Sequence, residues 1–287
     1  MNYDFSIQAK IFSIAYEILE DYDIEEWSFG GGTALSYCYY QHRMSYDIDI
    51  FSEDFGFIDK LIRNRVEIAR NLGIPLEQVI ASTTAITFIL EEHGHGLKLD
   101  FLYLAPLTSS PYIYKDIFGF NQIKVQTPEE ILARKLKYRE IITVRDYVDF
   151  AFAQNRDNTL CKLKSEVIVD IDRYLDVLEQ FNSFEKLIFD QELSYLQSSI
   201  YRDKKSLYDT INSIMMPPNV IQIAFVDDEV VAFDEFIDSY SKFYDDLGGL
   251  DIYEITKSSL SHILQKDDIS YIDILRLDRD IVTKDKG

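Results

Sequence analysis

The feature that most constrains this chain is a glycine run that leads, through a short helical stretch, into an apolar strand carrying two carboxylates. It occupies residues 29–51 and reads FGGGTALSYCYYQHRMSYDIDIF. Because side chains alternate along a strand, Asp47 and Asp49 share one face and stand roughly 6.5–7 Å apart along the backbone. The isoleucines beside them point to the opposite face, which predicts a buried strand with an acidic side.

Two carboxylates this close repel each other unless a cation lies beside them. Oxygen ligands with open positions are what Mg²⁺ uses when nucleotide phosphates complete its shell. The glycine turn allows the backbone to approach an anionic group, and the helix after it presents free N–H groups. A D-x-D pair alone is common on solvated strands, and a glycine run alone is often a loop. Their combination predicts a metal-dependent nucleotide site.

These residues resemble a known family. GGTAL at residues 31–35 followed by HRMSYDIDIF at 42–51 resembles the AbiEii/AbiGii toxin family of nucleotidyltransferases, within the DNA polymerase β-like nucleotidyltransferase superfamily. LKLD at residues 97–100 resembles the strand that carries the third carboxylate, and Lys135, Arg139 and RDYVD at 145–149 resemble the distal lysine and aspartate motifs. The resemblance covers residues 25–152. Thr33 stands where many superfamily members have serine, and it keeps the hydroxyl.

The resulting interpretation assigns an NTP as substrate and one or two Mg²⁺ ions as cofactor. Asp47 and Asp49 hold the metal, and Asp100 either completes the metal shell or takes the proton from the attacking hydroxyl. From pattern alone, Asp100 could equally be a solvated edge residue. The distal motif of the family implies that Asp146 is a second candidate base, although it could be only a helix cap.

The phosphates of the NTP need donors and cations. Lys135 and Arg139 are four residues apart on a predicted helix, so they share a face. On spacing alone a solvated basic face is the commoner explanation, but two cations without a nearby acid favour an anion, and a triphosphate is the candidate beside a D-x-D pair. The predicted nucleotide-binding residues are Gly31, Gly32, Thr33, Arg43, Ser45, Lys135 and Arg139. The first three cradle the phosphates, the next two brace them, and the last two offset developing charge.

The charge distribution bears on the partner. The net charge is −21, but residues 131–145 carry five basic residues against one acid, whereas residues 226–254 carry ten acids against one base. This permits a nucleotide or a locally held RNA and argues against long, non-specific DNA binding. The chain has two cysteines and no uncharged run approaching a membrane span, which predicts a cytoplasmic protein without a zinc site.

The predicted fold class is α/β (α+β), a mixed nucleotidyltransferase sheet with flanking helices followed by a helical C-terminal region. The predicted domains are residues 1–126, the α/β domain, and residues 127–287, a mainly helical domain that contributes Lys135 and Asp146 to the cleft. Strands are predicted at 27–29, 45–51, 85–90, 97–104 and 123–126. Beyond residue 154 helices are predicted at 165–181 and 184–195, then a strand pair within 220–233 and a helical pair at 236–247 and 251–264.

The predicted activity is transfer of a nucleotidyl group from an NTP to an acceptor with release of pyrophosphate. The resemblance implies the toxin of a toxin–antitoxin or phage-defence pair, acting on tRNA in the bacterial cytoplasm, with a cognate antitoxin as partner. Two alternatives stay open. One is a nucleotidyltransferase of a small cationic molecule or a protein hydroxyl; the other is a non-catalytic interaction protein of the same fold.

Overall fold

The computed structural model describes residues 3–92, 95–165, 168–169, 171–196, 198, 201–215, 220–226, 229–232, 251–256 and 281–286. The chain divides into two compact units, Met1–Val169 with Ser183–Thr210, and Asp170–Asn182 with Ile211–Gly287. The predicted boundary between residues 126 and 127 falls inside the first unit, and that division stays a prediction. Among the described residues no helix is long and apolar enough to cross a membrane.

The first unit contains a seven-stranded sheet and the helices around it. Its strands are β1 Ser28–Gly30, β2 Ile48–Ser52, β3 Val79–Ala81, β4 Ala85–Glu92, β5 His95–Tyr103, β6 Tyr112–Ile117 and β7 Phe120–Gln126. Its helices are α1 Ser6–Asp21, α2 Gly31–Leu35, α3 Phe55–Asn71, α4 Pro128–Tyr138, α5 Val144–Asp157, α6 Thr159–Ser165 and, after α7 of the second unit, α8 Lys186–Tyr195. A π-helical turn, Ser36–Tyr40, continues α2.

The strand order is β3-β4-β5-β2-β1-β7-β6. The pairs β2 with β5 and β1 with β7 are parallel, and the remaining neighbours are antiparallel, so the sheet is mixed as predicted. Ile48 and Ile50 of β2 are fully buried, together with Phe101 of β5. Helix α1 packs near β2, and α3 packs against β4 and β5. The core therefore holds the central strands in place, with the acidic residues of β2 and β5 on the other face.

Two strands of this seven-stranded sheet, β3 and β6, were not predicted from the sequence. Strand β6 joins β7 through a two-residue turn in which Phe118 and Gly119 both have positive φ, 50° and 87°. Such a turn matches the twist of a hairpin, but it is usually marked by Asn or Asp before the glycine. With Phe118 in that place the turn lacks its usual sequence mark, so the hairpin was not recognised.

The second unit contains a four-stranded antiparallel sheet and helix α7, Ile171–Ser183, except for the last residue of that helix. Its strands are β8 Val220–Val226, β9 Glu229–Ala232, β10 Asp251–Thr256 and β11 Ile281–Lys286, in the order β11-β10-β8-β9. Helix α9, Lys204–Met215, spans the division between the units. The predicted strand pair within 220–233 corresponds to β8 and β9, while the predicted helix at 236–247 lies outside the described residues.

The prediction of a helix at 251–264 is wrong over its first six residues, which form β10. In β10, Ile252 and Glu254 share one face and Tyr253 and Ile255 the other, so no clear alternation of apolar and polar residues marks the strand. Residues 257–264 lie outside the described part of the chain. A segment of six residues is too short to distinguish the hydrophobic period of a helix from that of a strand. Pairing with β8 and β11 decides in favour of the strand.

Candidate functional site

The glycine run lies beside the first carboxylate strand because β1 pairs with β2. The antiparallel register places Gly30 opposite Asp49, and Gly31 follows at the start of α2. Gly31 has φ +71°, and a Cβ at this position would stand 1.9 Å from Asp49 Oδ2. Only glycine combines this backbone conformation with so close an approach to a side chain. Gly31 therefore allows the backbone to lie directly against the Asp49 carboxylate.

Three acids then meet at neighbouring positions, and we call Asp47, Asp49 and Asp100 the carboxylate triad. The parallel register of β2 and β5 sets Asp49 beside Asp100. Asp47 precedes β2, and the backbone N–H of Lys98 on β5 donates to its Oδ1 at 3.2 Å. Thr87 on β4 stands opposite Asp100 and donates its hydroxyl to Asp100 Oδ1.

The triad is electrostatically unbalanced. Burial raises the pKa of Asp49 to about 7, and repulsion from Asp100 and Asp47 adds to the effect. Burial likewise raises the pKa of Asp100, with a further contribution from Asp47. The Asp49 carboxylate makes no hydrogen bond or ion pair to any residue that the structure describes. A half-buried acid with no partner among the described residues, next to two other acids, is the environment that a cation would stabilise.

A divalent metal fits this chemistry as a partial ligand set. Within the described ranges, no group of three or more His, Cys, Asp or Glu side chains is arranged to hold a metal ion by itself. Mg²⁺, however, is usually bound by one or two carboxylates together with substrate phosphates and water. Asp49 fits that role best, because its carboxylate has no partner among the described residues and its pKa is raised by burial and by the charges of Asp100 and Asp47.

Beside the triad lies a second charged cluster, which we call the ion-pair network: His42, Arg43, Lys135, Arg139, Asp146 and Asp149. Arg43 donates to both oxygens of Asp149, from Nε at 2.7 Å and from Nη2 at 2.8 Å. Lys135 Nζ donates to Asp149 Oδ2 at 2.5 Å and to Asp146 Oδ1 at 2.8 Å. Bidentate, charge-assisted hydrogen bonds of this kind fix geometry as well as charge.

Asp146 is held from two sides. Arg139 Nη1 donates to its Oδ1 at 2.9 Å and to its Oδ2 at 2.7 Å, and the Thr143 backbone N–H and hydroxyl donate to Oδ2 at 3.0 and 2.7 Å. Thr143 and Asp146 thus form a capping box at the start of α5, the helix-cap role that the sequence left open for Asp146. Burial alone would raise the pKa of Asp146, but Lys135 and Arg139 outweigh it and lower that pKa to about 2.

Two predicted roles need correction. Asp146 is not suited to act as a base, because its pKa is lowered to about 2 and both its oxygens accept hydrogen bonds. Lys135 and Arg139 are also not cations without a nearby acid, because Lys135 binds Asp146 and Asp149 and Arg139 binds Asp146. The helix α5 that supplies both acids follows α4 in sequence, and only the packing of the two helices brings the charges together.

The other predicted phosphate contacts are also engaged inside the protein. Thr33 is fully buried, and its hydroxyl donates to the carbonyl of Asp47 at 2.5 Å. Arg43 is 2% exposed, and its guanidinium forms an ion pair with Asp149. A Cβ on Gly32 would meet Arg43 Nη2 at 2.8 Å and the hydroxyl of buried Ser45 at 2.9 Å. These four residues build the wall behind the triad, and Gly31 and Arg139 remain at its open side.

Three contributors to the site were not predicted from the sequence. One is Asp149, which belongs to the RDYVD motif and forms the centre of the ion-pair network. His42 Nε2 lies 2.6 Å from Asp149 Oδ1, and no local pattern indicates that contact across 107 residues. Thr87 could have been found, because counting the register of the predicted hairpin back from its tip places it opposite Asp100.

The chain is similar to a family of known proteins and to several solved structures. The model of the family described as nucleotidyl transferase AbiEii toxin, type IV TA system, matches residues 16–203. The solved structure of JHP933 from Helicobacter pylori is 17% identical, covering 74% of this chain and 92% of that chain with a TM-score of 0.44. MenT4, a nucleotidyltransferase toxin from Mycobacterium tuberculosis, is 15% identical over 73% of this chain and 82% of its own, with a TM-score of 0.42. No curated protein matches the chain.

Proposed function

Because the chain belongs to the AbiEii family of nucleotidyl transferase toxins, we propose that it transfers a nucleotidyl group from an NTP to tRNA with the aid of Mg²⁺. In this proposal it acts in the bacterial cytoplasm as the toxin of a toxin–antitoxin or phage-defence pair, and a cognate antitoxin restrains it. The observation that carries the catalytic part is the carboxylate triad. It gathers three acids beside a glycine backbone and leaves Asp49 without a partner.

Asp47, Asp49 and Asp100 are the residues that would hold the metal. A bound Mg²⁺ neutralises the triphosphate and orients the in-line displacement. The acceptor hydroxyl oxygen forms a bond to the α-phosphorus, the bond from that phosphorus to the bridging oxygen breaks, and pyrophosphate leaves. Asp100 takes the hydroxyl proton, because its raised pKa makes it a better base than an ordinary aspartate and Thr87 occupies only one of its oxygens.

The ion-pair network supplies positive charge to the same place. Against the larger effect of burial, Arg139 and Lys135 lower the pKa of Asp49, which supports a role for their positive charge at the triad. The side chain of Arg139 is 41% exposed, whereas that of Lys135 is 7% exposed. Arg139 is therefore the cation that can touch the phosphates, and Lys135 stabilises developing charge from behind while holding Asp146 and Asp149 in position.

The acceptor surface is small. Of the five basic residues in 131–145, Arg134 and Lys135 are buried, and Lys137, Arg139 and Arg145 are exposed. Arg134 is thus not available to an RNA backbone. Arg145 stands 4.0 Å from Asp47 at the mouth of the triad, where an acceptor must arrive. Because Arg139 faces the NTP, Lys137 and Arg145 are the exposed cations of this segment that are left for the RNA backbone. With about two phosphate contacts, log K for tRNA should fall with log salt at a slope of roughly −1 to −2.

The alternative acceptor, a small cationic molecule, depends on the acidic segment at 226–254. Most of that segment lies outside the described residues, and the structure gives no observation in its favour. Membership of a nucleotidyltransferase family favours an enzyme over a non-catalytic interaction protein.

The deciding experiment is incorporation of each of the four α-³²P-labelled NTPs into purified tRNA, total RNA and protein fractions across a salt series. The proposal expects label in tRNA, loss of label in Asp49→Asn, and loss on Arg145→Glu with NTP binding retained. Label in a small cation or in protein, with none in tRNA at any salt, would reject the tRNA acceptor. Growth arrest on expression of the wild type, absent in Asp49→Asn, tests the toxin role separately.

A further inference from the structure

A pocket of about 200 Å³ opens next to Asp49, between the sheet and α4. One end is polar, with Gly31 and Asp49 on one side and Lys135 and Arg139 on the other. Most of the remaining wall is apolar or aromatic and includes Phe51, Leu102, Leu104, Ile131 and Tyr138. A ligand with an anionic end and a flat, apolar body matches this division, since its charged part would lie at the triad and its body along Phe51.

Two buried polar residues in the apolar part of this wall each keep one atom without a hydrogen-bond partner in the described structure. Gln126 is fully buried, and its amide nitrogen donates to Ser28 Oγ at 3.3 Å, which leaves Oε1 unpaired. Arg134 is 6% exposed, and its Nη1 is unpaired. Unpaired buried groups are rare in folded proteins and call for an explanation, a ligand being one.

Arg134 cannot easily turn to satisfy its free atom from within the protein. It donates from Nε to Glu130 Oε1 at 2.6 Å and from Nη2 to the carbonyls of Leu104 and Ala105, both at 3.2 Å. Its guanidinium also lies over the Phe51 ring, 4.7 Å from the centroid. The rest of the Arg134 side chain is therefore fixed, and Arg134 and Gln126 both line the same pocket.

From these contacts we infer that the pocket takes the nucleobase of the NTP, and that Gln126 and Arg134 determine which base is accepted. The inference rests on the proposed function, because the triphosphate must reach the triad. Arg134 Nη1 donates to an acceptor on the base edge, and Gln126 Oε1 accepts from an N–H beside it. A base whose edge has its hydrogen-bond acceptor and its N–H at other positions would leave Arg134 Nη1 and Gln126 Oε1 unpaired. Because unpaired buried polar groups are costly, such a base would bind more weakly.

Binding, rather than turnover, tests the inference. Dissociation constants would be measured by calorimetry with Mg²⁺ for ATP, GTP, CTP, UTP and ribose 5′-triphosphate, which lacks the base. The wild type should bind one NTP more tightly than the other three, and more tightly than ribose 5′-triphosphate. Gln126→Leu should reduce that preference roughly 10–100-fold, as expected for loss of one buried hydrogen bond, while ribose 5′-triphosphate binding is unchanged.

Arg134→Lys is the second variant, because it keeps a cation for Glu130 but removes Nη1; it should reduce the same preference even if Gln126→Leu fails to fold. Lys137→Ala, an exposed neighbour outside the pocket, is the control and should leave the preference unchanged. Equal binding of NTPs and ribose 5′-triphosphate, or a preference that survives in folded variants, overturns the base pocket alone. Absence of all triphosphate binding overturns the proposed function as well, and base-selective binding without any transfer overturns only the proposed reaction.

Discussion

The carboxylate triad and the ion-pair network contain the same kind of residue in opposite electrostatic states. In the network, Asp146 and Asp149 are matched by three cations, and their pKa values are lowered although burial acts against them. In the triad, burial raises the pKa of Asp49, and there the neighbouring charges add to it. Burial therefore does not decide the state of an aspartate in this protein. The charge of its neighbours does.

This difference separates a structural cluster from a functional one. The network is complete within the chain, since each acid has at least two cationic partners. In the triad, Asp49 has no ion-pair partner among the described residues and Asp47 has only Arg145, 4.0 Å away, and perturbed acids of this kind are concentrated at functional sites. The network has one cation more than it has acids, and the pKa of His42 is lowered by burial, so that His42 adds no charge near neutral pH. The network therefore directs a positive field at the place where the triad is deficient.

The largest expected effect tests the triad. Asp49→Asn should reduce nucleotidyl transfer by about 10³-fold or more, because the metal would lose a charged ligand worth several kcal/mol in the transition state. The same change should leave the metal-free fold intact or stabilise it, since it removes repulsion from Asp47 and Asp100. Initial rates with labelled NTP and thermal melts measure the two outcomes. A double variant, Asp47→Asn with Asp49→Asn, that still turns over NTP would refute the metal role.

The next effect tests the network and should appear in stability. Asp149→Asn leaves the buried Arg43 and Lys135 without their shared acid, and removing one partner of a buried pair costs about 3–5 kcal/mol. Urea unfolding measures the change in the free energy of unfolding. Asp59→Asn is the control, because Asp59 pairs with Arg63 on an exposed helix face and should matter little. If the two variants lose similar stability, the network is not the structural core of the site.

The same comparison explains what could be read from the sequence. The triad was predictable, because the alternation of a strand fixes which face Asp49 occupies and the family resemblance identified Asp100. The network was not, because Arg43 and Asp149 are 106 residues apart and nothing local marks them as partners. The capping box at Thr143 was visible, since it is a contact over three residues. Asp146 was nevertheless predicted to be catalytic, because the sequence pattern alone cannot show that Lys135 and Arg139 both bind its carboxylate.

The fold divides in the same way. Central strands such as β2 and β5 were recognised, because apolar and polar residues alternate in Ile48–Asp49–Ile50 and over residues 97–101. Strands β3 and β10 were not recognised, and their identity depends on which neighbour they pair with. Tertiary pairing overrides local preference most easily where the local signal is weak.

A smaller effect tests the link between the two clusters. Lys135→Ala should slow transfer by about 10²-fold, as expected when one charge-stabilising donor is removed. The loss in stability should be smaller than for Asp149→Asn, because Asp149 keeps Arg43 and Asp146 keeps Arg139. Lys137→Ala, two residues along on the exposed side of α4, provides the matched comparison. Equal losses in rate would mean a diffuse basic surface and no defined contact.

The smallest effect lies in the pH dependence of the metal-free protein. The pKa of Asp49 is about 7 in the folded protein against an ordinary value of 3.8, so between about pH 4 and 7 the folded state keeps a proton that the unfolded state has lost. Linkage then requires stability to fall as pH rises through this window. His42 acts in the opposite direction below about pH 6.5, because its pKa is lowered by folding. The two contributions therefore overlap in a melting curve of the wild type.

The Asp49→Asn variant separates them, because it retains His42 and has no titrating group at position 49. The difference in melting temperature, variant minus wild type, should grow from pH 5 to pH 8 without metal. Mg²⁺ with a non-hydrolysable NTP should stabilise the wild type more at pH 8 than at pH 5.5, where a protonated Asp49 competes with the metal. A difference that stays flat across this range would show that Asp49 is already balanced by its neighbours, and the contrast between the two clusters would then disappear.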